Sequence, residues 1–149
     1  MEAKEIKSSW NKFKKDVQKE TGIDLTGCCY MTAKQIANRT ATITLQLAWS
    51  YDDEIANRLR EIESVSNWGE EQKERIERIT SKYREQIAAL EARKAAHGTR
   101  ENEVMADFEQ ITNSKAYKVL AEAIGINYVG IEQTRYSSSL NIYQIRISY

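Results

Sequence analysis

Residues 32–64 decide how the first half of this chain folds, and they read TAKQIANRTATITLQLAWSYDDEIANRLREIES. Thr32, with Gln35 three residues later, forms a capping box that predicts the start of a helix. An apolar stripe then recurs at steps of three or four residues for about eight turns. Its members are Ile36, Thr40, Ile43, Leu47, Tyr51, Ile55, Leu59 and Ile62. We interpret the stretch as one continuous helix, because no glycine, proline or turn cluster separates its halves.

Residues 41–49 also fit a second interpretation, a half-buried strand. Ala41, Ile43, Leu45, Leu47 and Trp49 alternate with Thr42, Thr44, Gln46 and Ala48. Strict alternation with many β-branched side chains is typical of a strand that has one buried face. Ser50, with Asp53 after it, would then cap a helix that starts at Tyr51. Under this alternative the fold is α+β, with a three-stranded sheet that uses residues 41–49.

A second long helix is predicted for residues 70–96, after a turn at SVSNWG, residues 64–69. Its apolar stripe consists of Ile76, Ile79, Tyr83, Ile87 and Leu90. At ~1.5 Å per residue each long helix would extend about 40 to 50 Å, so the pair suits an antiparallel hairpin over residues 32–97. On the surface of the second helix, Glu71 with Arg75 and Glu74 with Arg78 have the favourable spacing for ion pairs.

The remaining segments are shorter. Residues 1–31 contain an N-terminal helix, which ends at Gly22, and a link. The apolar face of that helix consists of Ala3, Ile6, Trp10, Phe13 and Val17. Residues 98–125 predict short helices, and residues 126–149 a β-hairpin rich in β-branched and aromatic side chains. The fold class is therefore mainly α in a single domain, residues 1–149, since this length is typical of one domain.

Composition excludes several function classes. Lys plus Arg equals Asp plus Glu at 22 each, so no overall field attracts nucleic acid or an anionic membrane. Cys28 and Cys29 are adjacent, which disfavours a disulfide between them and indicates a reducing compartment. The N-terminus lacks a secretion signal, and no apolar run approaches the ~20 residues of a membrane span. We therefore expect a cytoplasmic protein that does not bind membranes.

Catalytic chemistry has little support in the sequence. His97 is the only histidine, and it stands at a helix end without ligand-spaced partners on its own turn. The six glycines are scattered, so no phosphate-binding loop exists. Most carboxylates fall on charged helix faces, where solvation and ion pairing explain them. We expect no catalytic residue, no metal site and no cofactor, and we interpret the protein as not an enzyme.

Two surfaces are candidates for partner binding. Trp68 falls at the tip of the predicted hairpin, where its own chain buries it poorly, and tryptophan is common among residues that anchor interfaces. On the C-terminal ribbon, Arg135, Tyr136 and Arg146 are predicted to point outward. We expect an adaptor or inhibitor that binds another protein by occupying its surface. Self-association as a homodimer is also expected, because the isoleucine-rich stripes with charged flanks resemble those of coiled coils.

A nucleic-acid-associated protein is the competing prediction. Tyrosine and arginine on a sheet suit base stacking and phosphate contacts, and the first helix carries six lysines. Four acidic residues are interleaved with those lysines, so the net excess is only two, which is why nucleic acid is not favoured. A third prediction, based on size and type alone, is a small accessory protein of a mobile element that inhibits a nucleic-acid-processing enzyme.

Overall fold

A computed structural model describes residues 2–25, 27, 29–30, 32–137 and 140–149, with the side chains of Cys29, Tyr30 and Tyr136 also left out. The described chain is mainly α-helical, with one antiparallel sheet. The helices are α1 (Ala3–Thr21), α2 (Ala33–Ala37), α3 (Tyr51–Ser66), α4 (Lys73–His97), α5 (Arg100–Thr112) and α6 (Lys115–Ile124). The strands are β1 (Cys29–Tyr30), β2 (Thr40–Ala48), β3 (Tyr128–Ser137) and β4 (Leu140–Ser148).

The chain divides into two compact units. Unit 1 consists of Met1–Ala48 with Val104–Tyr149, and unit 2 of Trp49–Glu103. The single domain expected for residues 1–149 stays a prediction. The absence of a disulfide between Cys28 and Cys29 also stays a prediction, because Cys28 and the side chain of Cys29 lie outside the described part of the chain. No helix among the described residues combines the length and apolar character that crossing a membrane requires.

Residues 40–48 form a strand, so the continuous helix preferred from the sequence is wrong there and the strand alternative is correct. The capping box of Thr32 and Gln35 does form, but the helix it starts ends at Ala37. Arg39 then takes a left-handed conformation with φ 56°, which no helix can continue through. Ser50 caps α3 as the alternative required, its hydroxyl accepting from the Asp53 N–H at 3.1 Å.

Pairing with β4 explains why this segment is a strand. Ala41 lies opposite Ile147 and Ile43 opposite Ile145, so the apolar faces of β2 and β4 join the same buried core. The intervening threonines are β-branched, and such side chains lose rotamer freedom in a helix but fit a pleated surface. The strand order is β1-β2-β4-β3. The C-terminal β-hairpin is confirmed as β3 and β4; β2 is its third strand, and β1 adds a fourth that was not predicted.

Helices α1 and α6 share one apolar core with the sheet in unit 1. The α1 residues predicted to face inward do so, except for the exposed Ala3. The most deeply buried members of this core include Trp10, Val17, Leu25, Ile43, Ile111 and Ile145. The Glu20 carboxylate accepts from the backbone N–H groups of Lys115 and Ala116, at 2.8 and 3.2 Å. Because the first N–H groups of a helix have no partner within the helix, this contact fixes α6 against α1.

Unit 2 is built on the helical hairpin of α3 and α4. The hairpin therefore begins at Tyr51 rather than at residue 32, since β2 replaces the first half of the expected helix. Within residues 49–103, all of which the structure describes, the buried apolar side chains are Tyr51, Val65, Ile87 and Leu90. Much of the remaining stripe is half-buried, and Leu59 is exposed. Homodimer formation through these stripes stays a prediction.

Candidate interaction surface

The turn between α3 and α4 presents Trp68. The side chain is 40% exposed, and its backbone N–H donates to the Val65 carbonyl at 3.1 Å. The guanidinium of Arg75 lies over the indole ring, with its carbon 5.2 Å from the ring centroid. A cation at this distance is attracted to the negative face of the ring. The Trp68 side chain is therefore restrained by its contact with Arg75, while part of its surface stays open to solvent.

Local chain geometry places Arg75 within reach of that ring. Gly69 is extended, with φ −66° and ψ 162°, and precedes one turn of 3₁₀ helix, Glu70–Gln72. The Gln72 N–H donates to the Gly69 carbonyl at 2.9 Å, which closes this turn. Helix α4 starts immediately afterwards, so Arg75 lies in its first turn.

Two more basic side chains continue from Arg75 along one face of α4. Arg78 and Lys82 follow at steps of three and four residues, and Ile79 lies between them. These four residues line a shallow surface depression. The three basic side chains are exposed, whereas Ile79 is half-buried. We call Trp68 together with Arg75, Arg78, Ile79 and Lys82 the tip surface.

None of the three cations of the tip surface forms a salt bridge within the described part of the chain. The salt bridges there join Arg93 to Glu103, Lys94 to Asp52, Arg100 to Glu54 and Arg146 to Glu132. The intrahelical ion pairs predicted for Arg75 with Glu71 and for Arg78 with Glu74 do not form among the described residues. Such exposed pairs gain only a few tenths of a kcal/mol, which does not ensure that they form.

A buried polar network lies at the other end of the hairpin. The Glu103 carboxylate accepts from the Tyr51 hydroxyl and from the guanidinium of Arg93, whose Nε lies 3.1 Å from Oε2. Arg100 donates to Glu54 at 2.6 Å and to the Trp49 carbonyl at 3.2 Å. Burial, and then the hydrogen bond to Glu103, raise the pKa of the Tyr51 hydroxyl. This network stabilises the end of the hairpin opposite Trp68, which we call the hairpin base. Its charged groups all have partners within the network.

The ribbon arginines do not form one surface. Arg146 lies between Ile145 and Ile147, which face the core, so its own side chain is on the opposite face of the sheet, where it pairs with Glu132. Arg135 is four residues beyond Ile131 on β3, and Ile131 lies opposite Ile145, so Arg135 is on the core face. It is exposed there. The side chain of Tyr136 lies outside the described residues.

Arg75, Arg78, Ile79 and Lys82 were missed by sequence reasoning, which treated the surface charges of this helix as solvated or as paired along it. The signal that would have found them is the recurrence of three cations at positions i, i+3 and i+7 with an apolar residue among them. Trp68 lies in the unit 2 turn, where the sequence placed it. Arg135 and Arg146 belong to unit 1.

Comparisons with known proteins give no relative from which a function could be transferred. No family model, curated protein or solved structure matches the chain. Among the residues that the structure describes, no group of three or more His, Cys, Asp or Glu side chains could hold a metal ion. The tip surface combines a partly exposed indole, three exposed basic side chains and a half-buried isoleucine, and it is the candidate site considered below.

Proposed function

We propose that this is a non-catalytic protein that binds another protein and acts as an adaptor or inhibitor by occupying its surface with the hairpin tip. The observation that carries the proposal is Trp68, which is 40% exposed at the turn and held by Arg75. Tryptophan and arginine are the residues most enriched where binding energy concentrates in interfaces. The proposal places the protein in the cytoplasm, where the adjacent cysteines would stay reduced.

The energy available from Trp68 is large enough to matter. A tryptophan side chain buries up to ~250 Å². The exposed part of Trp68 is therefore about 100 Å², worth roughly 2.5 kcal/mol when a partner covers it. The stacked guanidinium already restricts the ring, so binding costs less side-chain entropy than it would for a free indole. Removal of this one side chain should lower affinity by at least tenfold.

The test compares two tryptophan variants of unit 2. The tagged protein is used to capture partners from lysate of its own source after nuclease treatment, with bound proteins quantified by mass spectrometry. Trp68→Ala should lose a stoichiometric protein partner that the unchanged protein retains. Trp49→Ala is the matched control, because Trp49 is similarly exposed, at 38%, but lies outside the turn. Equal retention by both variants would remove the hairpin tip from the proposed function.

The nucleic-acid alternative predicts a different result from the same capture. Binding to phosphates falls by orders of magnitude between ~50 and ~200 mM salt, because counterions are released when phosphates are contacted. Recovery of nucleic acid that disappears at high salt, in place of a protein that survives nuclease, would favour this alternative. The ribbon lends it no geometric support, since Arg146 is paired with Glu132 and Arg135 lies on the other face of the sheet. The mobile-element inhibitor is one form of the leading proposal, in which the partner is a nucleic-acid-processing enzyme.

A further inference from the structure

We propose that the tip surface recognises an acidic segment of the partner protein. In this arrangement apolar side chains of the partner pack against Ile79 and against the open part of Trp68. Carboxylates around those side chains pair with the three basic residues of the tip surface. The inference rests on the proposed function and adds the chemistry of the partner to it.

Charge is the first observation behind this inference. Arg75 and Lys82 are seven residues apart, which is about 10 Å along the helix. Between Arg75 and Lys82 this face of α4 carries three cations, and Glu77, the one acidic residue in that stretch, lies on the opposite side of the helix. Glu71 and Glu74 lie one turn before Arg75 and Arg78. Among the described residues none of the three cations has a salt-bridge partner. An acidic segment would complete these pairs, and carboxylates complementary to a basic patch also accelerate association.

The apolar part of the surface distinguishes a protein segment from nucleic acid. Ile79 lines the depression together with the cations, and a phosphate backbone has no group that gains from contact with it. One face of the Trp68 ring is covered by Arg75, so that face is closed to a stacking base. A segment with apolar side chains and neighbouring carboxylates can contact Ile79, Trp68 and the three cations. A protein segment is therefore the occupant that the geometry favours.

Zero-length cross-linking tests this chemistry directly. A water-soluble carbodiimide joins a lysine amine to a carboxylate in contact with it and adds no spacer. We expect the complex captured from lysate to yield a cross-link between the Lys82 Nζ and an Asp or Glu of the partner, identified by peptide mass spectrometry. The expected product contains one peptide of this chain and one of the partner, which distinguishes it from a cross-link within the chain.

Charge-reversal variants provide the second test. Arg78→Glu with Lys82→Glu should lower partner retention by about tenfold or more, the change that 1.4 kcal/mol produces. The matched control is Lys73→Glu with Arg84→Glu, which alters the charge equally on the same helix. These residues are exposed, and at about 100° per residue they lie on a different face from the tip surface. Far-UV circular dichroism checks that both variants keep their helix content.

The outcomes separate the two proposals. If Trp68→Ala loses the partner while Arg78→Glu with Lys82→Glu retains it, or while Lys82 yields no carboxylate cross-link, the acidic-segment inference is overturned and the proposed function stands. If Trp68→Ala also retains the partner, or if only nucleic acid is recovered, both fail. Equal loss in the matched control would also overturn the inference, because the attraction would then depend on overall charge.

Discussion

Replacing Glu103 with leucine should destabilise unit 2 by about 2 to 4 kcal/mol. The Glu103 side chain is only 9% exposed and accepts from the Tyr51 hydroxyl and from two nitrogens of Arg93. Leucine accepts nothing, so the buried Tyr51 hydroxyl is left without this partner, at a cost of about 1 to 3 kcal/mol. The side chain of Arg93 is 43% exposed and can turn to water, so its loss adds only about 1 kcal/mol.

A double-mutant cycle isolates the contact between Glu103 and Tyr51. Tyr51→Phe alone should cost about 1 kcal/mol, because Glu103 keeps its bonds from Arg93. In the Glu103→Leu background the same change should restore about 1 to 2 kcal/mol, since it removes the stranded hydroxyl. The free energy of unfolding is measured by urea denaturation at neutral pH, followed by far-UV circular dichroism, with the m-value required to stay constant.

An exposed ion pair in the same unit serves as the control. Lys94 contacts Asp52 at 2.6 Å, but their side chains are 46% and 73% exposed. Lys94→Ala should therefore change the free energy of unfolding by less than about 0.5 kcal/mol. The reasoning is refuted if Glu103→Leu costs no more than this control. It is also refuted if the effects of Tyr51→Phe and Glu103→Leu add to within about 0.5 kcal/mol.

Two further predictions concern the pH dependence of stability and Gly130 in β3. Burial raises the pKa of the hydroxyls of Tyr51, Tyr117 and Tyr149 from the ordinary value of 10, so the folded state favours the neutral form of each. The contribution of these hydroxyls should be constant up to about pH 10, and stability should fall above it, with a shallower fall in Tyr51→Phe; unchanged thermal melting from about pH 9 to 11 would contradict this. A Cβ at Gly130 would overlap the hydroxyl end of the exposed Tyr128 side chain, which must move aside, so Gly130→Ala should gain little or no stability in the natural chain. In a Tyr128→Ala background it should stabilise by about 0.5 to 1 kcal/mol, and the same effect in both backgrounds, measured by urea denaturation, would refute the contact.

Residues 32–50 show where prediction from sequence reached its limit. The capping box at Thr32 and the Ser50 cap were both recognised, and both form. What the sequence could not decide was whether the chain between them continues as helix. The helix ends before Arg39, whose contacts are with residues far along the chain. Its guanidinium donates to the carbonyls of Tyr149 at 2.6 Å and Ile124 at 3.2 Å.

The tip surface was predicted in part. Trp68 was found because a turn signal sits between two apolar stripes, which is local information. Arg75 and Arg78 were assigned to intrahelical pairs, since spacing alone cannot tell an exposed pair that forms from one that does not. The hairpin base was beyond prediction, because Tyr51 and Glu103 are 52 residues apart and meet only in the folded unit.

The sequence by itself determined the elements whose stability comes from neighbours within a few residues. These elements are helices α1, α4 and α6, the turn at Trp68 and the pairing of β3 with β4, which all depend on contacts of short range along the chain. Only the tertiary structure decided that residues 40–48 are a strand and that Arg135 and Arg146 lie on opposite faces of one sheet. The physical reason is that a threonine-rich apolar segment has similar local energies as helix and strand. Hydrogen bonds and burial against β4, about a hundred residues away, select the strand.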